Sequence, residues 1–388
     1  MKKIFTKKKI YIVMVIVLLS AAAFFIISKI LTKKLLTIYS QQESITVTDR
    51  FSQNILIKNN GKGYYAQYLE TVPPQFEKLL LLSEDKYFFY HPGVNPVSIV
   101  RSVRRRFTDD KNQASSAITQ QLVKILRSSE SQRTLKNKLI EALYALSLEA
   151  RLSKKEILKM YANSVYLGNS VQGLETASLL YFNTPTHLLT DEQIIQLIAA
   201  LTAPSEKNPF KSANIEATTA LAKNIGAVID YPGDMDINEA EKKEKKFANY
   251  VKSDINFELR SVDINCNKNC QLTIDEKLTK NLRDILQRNI RSLGQKNAAN
   301  GAVVVLKLPE NELLAMVGSP DPNGNAYGYQ INMAIKPRPV GSTVKPFIYA
   351  KGFEKNLRPY TLVDDKEYKY LIGSGFAFYP KNYDYQYR

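Results

Sequence analysis

Two adjacent carboxylates, Glu84 and Asp85, stand in the stretch Ser83-Glu-Asp-Lys-Tyr-Phe-Phe-Tyr-His-Pro-Gly93, directly after an apolar run that includes Phe76 and Leu79 to Leu82. On a helix, Leu79, Leu80, Leu82 and Phe89 can line one side and set Glu84 among apolar and aromatic neighbours. A carboxylate against such a low-dielectric wall holds a proton more readily, which suits a general base. A solvent-facing Glu-Asp pair is the other reading of the same spacing, and structural carboxylates outnumber catalytic ones. A nucleophile is spelled further on, in Arg338-Pro-Val-Gly-Ser-Thr-Val-Lys-Pro-Phe347. Ser342 and Lys345 are one helical turn apart, and a lysine kept neutral by burial could take the serine's proton.

Three other stretches carry polar chemistry. In Ala114-Ser-Ser-Ala-Ile-Thr-Gln-Gln-Leu-Val-Lys124, small residues allow close backbone approach, Ser116, Thr119, Gln120 and Gln121 offer hydrogen bonds suited to sugars and phosphates, and Lys124 adds a positive charge. Arg133-Thr-Leu-Lys-Asn-Lys-Leu-Ile-Glu141 puts Lys138 and Glu141 on one helix face, which a surface ion pair would also explain. The third is Lys155-Glu-Ile-Leu-Lys-Met-Tyr-Ala-Asn163, followed by Tyr166-Leu-Gly168 and Gly173-Leu-Glu-Thr-Ala177.

The elements that must position these residues are mostly helices. Apolar spacing predicts helices over Gln75–Tyr90, Pro96–Phe107, Ile118–Ser128, Thr134–Leu152, Lys154–Tyr161, Gly173–Tyr181 and Asp191–Leu201. Ser153 before Lys-Lys-Glu and Thr190 before Asp-Glu-Gln read as caps. Residues 44 to 58 alternate like a two-strand hairpin. Residues from about 211 to 262 are polar and charged and read as a linker with helical parts. Beyond it, Gln271 to Asp275 reads as a strand, Glu276–Leu293 as an amphipathic helix, and Ala302–Leu308 and Glu312–Val317 as strands around a Pro-Glu-Asn turn.

The chain of 388 residues has 44% hydrophobic residues, enough for more than one core, and a formal charge of +17 that calls for an anionic partner. Lys2, Lys3, Lys7, Lys8 and Lys9 precede an uncharged run from Ile10 to Ser28, long enough to span a bilayer and too long for an ordinary cleaved leader. The reading is an uncleaved signal anchor with its N-terminus in the cytoplasm, although Lys29, Lys33 and Lys34 stand on the far side. Residues after about 35 then lie outside, which makes anionic membrane lipid the expected partner and excludes nucleic acid. Cys266 and Cys270 are far in sequence from His91 and His187, so no zinc cluster forms. A local disulfide and two free thiols both remain open.

Taken in order, the four stretches around Glu84, Thr119, Glu141 and Asn163 resemble the motifs of the family 51 peptidoglycan glycosyltransferases, the lysozyme-like domain of class A penicillin-binding proteins. The matching elements are Glu-Asp-x-x-Phe-x-x-His-x-Gly at 84–93, Ile-Thr-Gln-Gln-Leu-Val-Lys at 118–124, Arg-Thr-Leu at 133–135, Lys-x-x-Glu at 138–141, Glu-Ile-Leu-x-x-Tyr-x-Asn at 156–163 and Tyr-Phe at 181–182. The resemblance implies inverting polymerisation of lipid II onto a growing glycan strand with release of undecaprenyl pyrophosphate. Glu84 matches the general base and Glu141 the second carboxylate, while Lys124, Arg133 and Lys138 stand where the family places cations for the diphosphate. His91 looks like a scaffold contact. No cofactor is implied as required, and there is room for a divalent cation such as Mg²⁺, with no metal ligands identified. Other cell-wall synthesis proteins are conceivable partners.

The sequence departs from the pattern at Ala114-Ser-Ser-Ala117, Asn137, Ala162, Asn183 and Thr184, and Asn137 removes a cation from the diphosphate side. Those departures fit the rival reading, a catalytically weak scaffold paralogue; a glycan hydrolase is another. Ser342 and Lys345, after strands that resemble the entry to a penicillin-binding transpeptidase domain, match its acyl-enzyme nucleophile and base. The Tyr379-Pro-Lys-Asn-Tyr-Asp384 run resembles the C-type subgroup. The Ser-x-Asn and Lys-Thr-Gly motifs that this domain needs do not follow Lys345, which reads as a truncated frame in preference to a disabled second domain. The expected architecture is mainly α. It has a tail and membrane helix (1–34), a membrane-proximal hairpin (35–70), a lysozyme-like helical glycosyltransferase domain (71–212), a linker (213–270) and an incomplete α/β transpeptidase domain (271–388). It would sit in the inner (plasma) membrane by a single pass.

Overall fold

The computed structural model describes residues 2–94, 117–127, 135–229, 237–253, 255–260, 266, 269–373 and 375–387. It divides into two units, Met1–Ile335 and Lys336–Arg388.

The first unit opens with one long helix, α1 (Lys2–Ser40). Its segment Tyr11–Ser40 is long and apolar enough to cross a membrane. The expected hairpin follows: β1 (Thr46–Thr48) and β2 (Asn54–Ile57) are antiparallel, with Val47 opposite Leu56. Next comes α2 (Pro74–Glu84), with proline in its first turn, and then a single 3-10 turn over Phe88–Tyr90. Periodicity predicts one helix over Gln75–Tyr90, and the structure stops it at Glu84. The cause is Asp85, which leaves helical geometry and sends its carboxylate to His91 and to the backbone of Ile118. The buried face shifts as a result. Leu79 and Leu80 are buried as expected, but Leu82 and Phe89 are 41% and 45% exposed, and Phe88 fills the core instead.

The remaining expected helices form within a few residues of their predicted bounds. They are α3 (Ile118–Arg127), α4 (Leu135–Glu149), α5 (Lys154–Ser164), α6 (Leu174–Phe182) and α7 (Asp191–Ala200). Both predicted caps are capping boxes, Ser153 with Glu156 and Thr190 with Gln193. The predicted helix over Pro96–Phe107 lies outside the described residues. One core joins these helices, built from side chains such as Phe76, Leu80, Phe88, Leu122, Leu148, Ile157, Tyr161 and Ile198. Helix α3 packs against α4 and α5, and α1 against α3 and α4.

The stretch read as a linker is folded. It contains α8 (Ala213–Ile225), α9 (Ile237–Val251) and α10 (Asn256–Arg260). Its charge run is the solvated face of α9, whose Phe247 and Val251 enter the main core beside Ile57. Ile255 and Leu259 make a second, small core with Ile55 and Ile274. Strand β3 (Cys270–Gln271) then joins the hairpin parallel to β1, giving the order β2-β1-β3, next to a Cys266–Cys270 disulfide. Helix α11 (Glu276–Ser292) packs on the antiparallel pair β4 (Val303–Lys307) and β5 (Glu312–Val317) through β5. Residues 271–335, expected to open a separate domain, thus belong to the first compact unit.

The second unit, by itself, holds a 3-10 turn (Gly341–Val344), α12 (Lys345–Glu354) and the hairpin β6 (Tyr370–Ile372) and β7 (Phe376–Phe378). Its large apolar side chains stay uncovered, with Phe347 75% and Leu362 97% exposed.

Candidate active site

The end of α2 is built so that one of its two carboxylates is structural and the other is presented. Asp85 is buried (6% exposed) and takes the Nε2–H of His91 at 2.9 and 3.0 Å and the N–H of Ile118 at 3.0 Å. The Gly93 N–H donates to His91 Nδ1 at 3.1 Å, so the ring proton sits on Nε2, facing Asp85. His91 is therefore a scaffold residue. Phe88 is fully buried, and Gly93 has φ +79, with Glu149 so close that an added Cβ would lie 2.7 Å from its Cγ. Every other fixed position of the Glu-Asp-x-x-Phe-x-x-His-x-Gly pattern thus holds the loop that places Glu84.

Glu84 itself is half-buried. Gln121 Nε2 donates to Glu84 Oε2 at 2.9 Å, and the Tyr161 hydroxyl donates to Gln121 Oε1 at 2.8 Å. Burial first, and then the negative charge of Glu84, push the Tyr161 phenol well above its usual range, so it stays a donor. Tyr161 lies in the Glu-Ile-Leu-x-x-Tyr-x-Asn motif, where the sequence alone assigns it no separate role. Spacing on α5 showed only that it shares a helix with Asn163, not that it reaches the carboxylate.

Helix α3 buries Ile118, Leu122, Val123 and Leu126 and leaves Lys124 exposed. Of the polar residues expected to bind sugar or phosphate there, Gln121 meets Glu84, whereas Thr119 and Gln120 turn inward. Thr119 is fully buried and donates to Glu149 Oε1 at 2.6 Å; Gln120 is 6% exposed. The expectation that these two face a sugar or phosphate thus meets buried side chains. Glu149 is the knot of this region, since Lys154 also donates to it at 2.8 Å and to the carbonyl of His91 at 2.6 Å. Ser116 and Arg133 lie outside the described residues.

On α4, Lys138 is exposed and Glu141 half-exposed. They make no ion pair with each other, so the plain surface-pair reading does not hold. Among the described residues Lys124, Lys138 and Glu141 have no hydrogen-bond or ion-pair partner. The structure brings their helices together, α3 carrying Gln121 and Lys124 against α4. Among the described residues no group of three His, Cys, Asp or Glu side chains could hold a metal ion, and no metal ligands are assigned.

Ser342 and Lys345 follow one another through the 3-10 turn, the Lys345 N–H donating to the Ser342 carbonyl. Both side chains are exposed and neither makes a hydrogen bond with a described residue. Lys345 is exposed, so the burial expected to keep it neutral is not seen among the described residues.

Residues 53–228 match the transglycosylase family, and residues 301–386 match the penicillin binding protein transpeptidase domain. With both domains in this order, the chain belongs to the class A penicillin-binding proteins. It is 29% identical over 338 residues to penicillin-binding protein 1B of Vibrio cholerae, covering 80% of this chain and 42% of that protein. Over 373 residues it is 27% identical to penicillin-binding protein 1F of Bacillus subtilis (86% and 49%). Over 334 residues it is 25% identical to penicillin-binding protein 1A of Streptococcus pneumoniae (77% and 45%). The chain spans somewhat under half the length of these relatives.

Proposed function

We propose that the chain polymerises lipid II into glycan strands at the outer face of the membrane that α1 spans. Glu84 accepts the proton of the acceptor sugar hydroxyl as that oxygen attacks the anomeric carbon of the donor. The bond from that carbon to the diphosphate breaks, with inversion. Lys124 and Lys138, joined by Arg133, balance the charge on the departing diphosphate, and Glu141 acts on the same side. This is general-base catalysis with electrostatic stabilisation of the leaving group. The observation that carries the reading is the held carboxylate of Glu84, on Gln121 at 2.9 Å, beside helices whose Lys124, Lys138 and Glu141 are unpaired among the described residues. A divalent ion such as Mg²⁺ would add to the cations without replacing them. No acyl-transfer step is assigned to Ser342 and Lys345 in their exposed setting.

The test is polymerisation of lipid II by the purified chain in detergent, read as strand length on gels. Strands from the wild type and none from Glu84→Gln support the reading. An inactive wild type favours the scaffold, and cleavage of finished glycan with no use of lipid II favours a hydrolase.

A further inference from the structure

We propose that Tyr161 is a positioning residue for the base: through Gln121 it fixes the direction in which the Glu84 carboxylate faces. This rests on the reading of Glu84 as the proton acceptor. The connection is two hydrogen bonds long, Tyr161 hydroxyl to Gln121 Oε1 at 2.8 Å and Gln121 Nε2 to Glu84 Oε2 at 2.9 Å. A side-chain amide has one accepting end and one donating end, and only the donating end can meet a carboxylate. Turned half round, Gln121 would set its oxygen against Glu84 and lose that bond. The Glu84 carboxylate, which can only accept, keeps the amide nitrogen on its side, and the Tyr161 hydroxyl, fixed in the core, holds the amide by its oxygen. The phenol, kept protonated by burial and by the Glu84 charge, is a permanent donor.

The ring cannot swing away to release the amide. Tyr161 is 1% exposed and α5 is pinned on both sides of it. At the start, Ser153 and Glu156 close a capping box. Near the end, Asn163 accepts the Leu69 N–H at 2.8 Å and donates to the Leu69 carbonyl at 3.1 Å and to the Tyr39 hydroxyl at 2.8 Å. The Tyr-x-Asn spacing thus supplies two arms on one helix. One reaches the carboxylate; the other holds the outer end of the membrane helix and the loop before α2. Buried in the core, Tyr161 acts by orientation alone.

The experiment compares Tyr161→Phe, Gln121→Ala and the double variant in the lipid II polymerisation assay, using the full chain in detergent, with thermal unfolding measured on each. Tyr161→Phe is expected to lower kcat about ten- to a hundredfold, part of what a general base contributes, with KM for lipid II nearly unchanged. The double variant is expected to be no slower than Gln121→Ala alone, because both changes cut one line of contact. Losses that multiply, or that appear in KM, make Tyr161 merely part of the core and overturn the proposal. Should Tyr161→Phe fail to fold, Gln121→Ala carries the test: an unchanged kcat overturns the proposal. A wild type that forms no strands overturns the functional reading instead.

Discussion

The carboxylate of Asp85 accepts the backbone N–H of Ile118 at 3.0 Å, so the end of α2 and the start of α3 are one hydrogen bond apart. That bond seats Gln121, one turn further on, against Glu84. Replacing Asp85 by Ala leaves the buried Ile118 N–H and the His91 Nε2–H without their acceptor. The expected cost is about 2–5 kcal/mol, from two unsatisfied buried donors. Asp85→Asn, which keeps one acceptor oxygen, should lose clearly less. Chemical unfolding in detergent measures both, and an Asp85→Ala variant within about 0.5 kcal/mol of wild type, the usual surface range, contradicts this account.

Lys124, Lys138 and Glu141 predict the opposite pattern. With no partner among the described residues, their removal takes nothing from the fold. Lys124→Met, Lys138→Met and Glu141→Gln should each change stability by no more than about 0.5 kcal/mol. If Lys124 and Lys138 act as proposed, polymerisation should nevertheless fall by at least about tenfold in each lysine variant, since a cation beside a developing phosphate charge acts in the transition state; Glu141→Gln should fall likewise if its carboxylate has the proposed role. Loss of stability in step with activity would assign these residues to packing.

The two patterns mark where the sequence was legible. Helices from Ile118 to Ala200 and both capping boxes could be read because local spacing and Ser or Thr at a cap are local physics. The break after Glu84 could not, because it is caused by the partners of Asp85, His91 six residues further on and Ile118 in another helix. Spacing placed Thr119 and Gln121 on one helix but could not tell which side met Glu84; burial gave Thr119 to Glu149. The linker reading failed at Phe247 and Val251, two apolar residues flanking a charge run, whose partners lie far back in the chain. Tyr161 lay in a recognised motif, yet its connection to Glu84 crosses three helices.

At the start of α5, a cap and a carboxylate titrate together. Hydrogen bonds from the Ser153 side chain and backbone hold the Glu156 carboxyl below the usual range. A carboxyl lowered by folding contributes stability above its unfolded pKa, and that contribution is lost as pH falls through the folded value. Ser153→Ala should therefore cost about 1 kcal/mol near neutral pH, as caps do. The gap between variant and wild type should narrow as pH falls below the usual carboxylate range and through the lowered folded value of Glu156. Unfolding curves at neutral and at acid pH test this, and a gap that widens on acidification is the contrary result.

The membrane helix is expected to contribute to the fold beyond anchoring it. Ser28, Thr32 and Leu35 form a buried stripe on α1. Thr32 donates to the Ser147 carbonyl at 2.9 Å. Arg151 donates to the Phe25 carbonyl at 2.6 Å and to Ser28 Oγ at 3.2 Å, with its guanidinium 3.9 Å from the centre of the Phe25 ring. These contacts attach α1 to α4, the helix that carries Lys138 and Glu141, and to the turn that follows it. Thr32→Val, which keeps the shape, should cost about 1 kcal/mol, the net worth of one hydrogen bond. Arg151→Met should cost more, about 1.5–3 kcal/mol, because a charged donor and a cation–π contact go together. Exchanging residues 11–40 for an unrelated apolar helix should preserve membrane attachment and still lower stability by more than either point change. If that exchange leaves unfolding in detergent unaltered, α1 is only a tether, and the packing of Ser28, Thr32 and Leu35 carries no energetic weight.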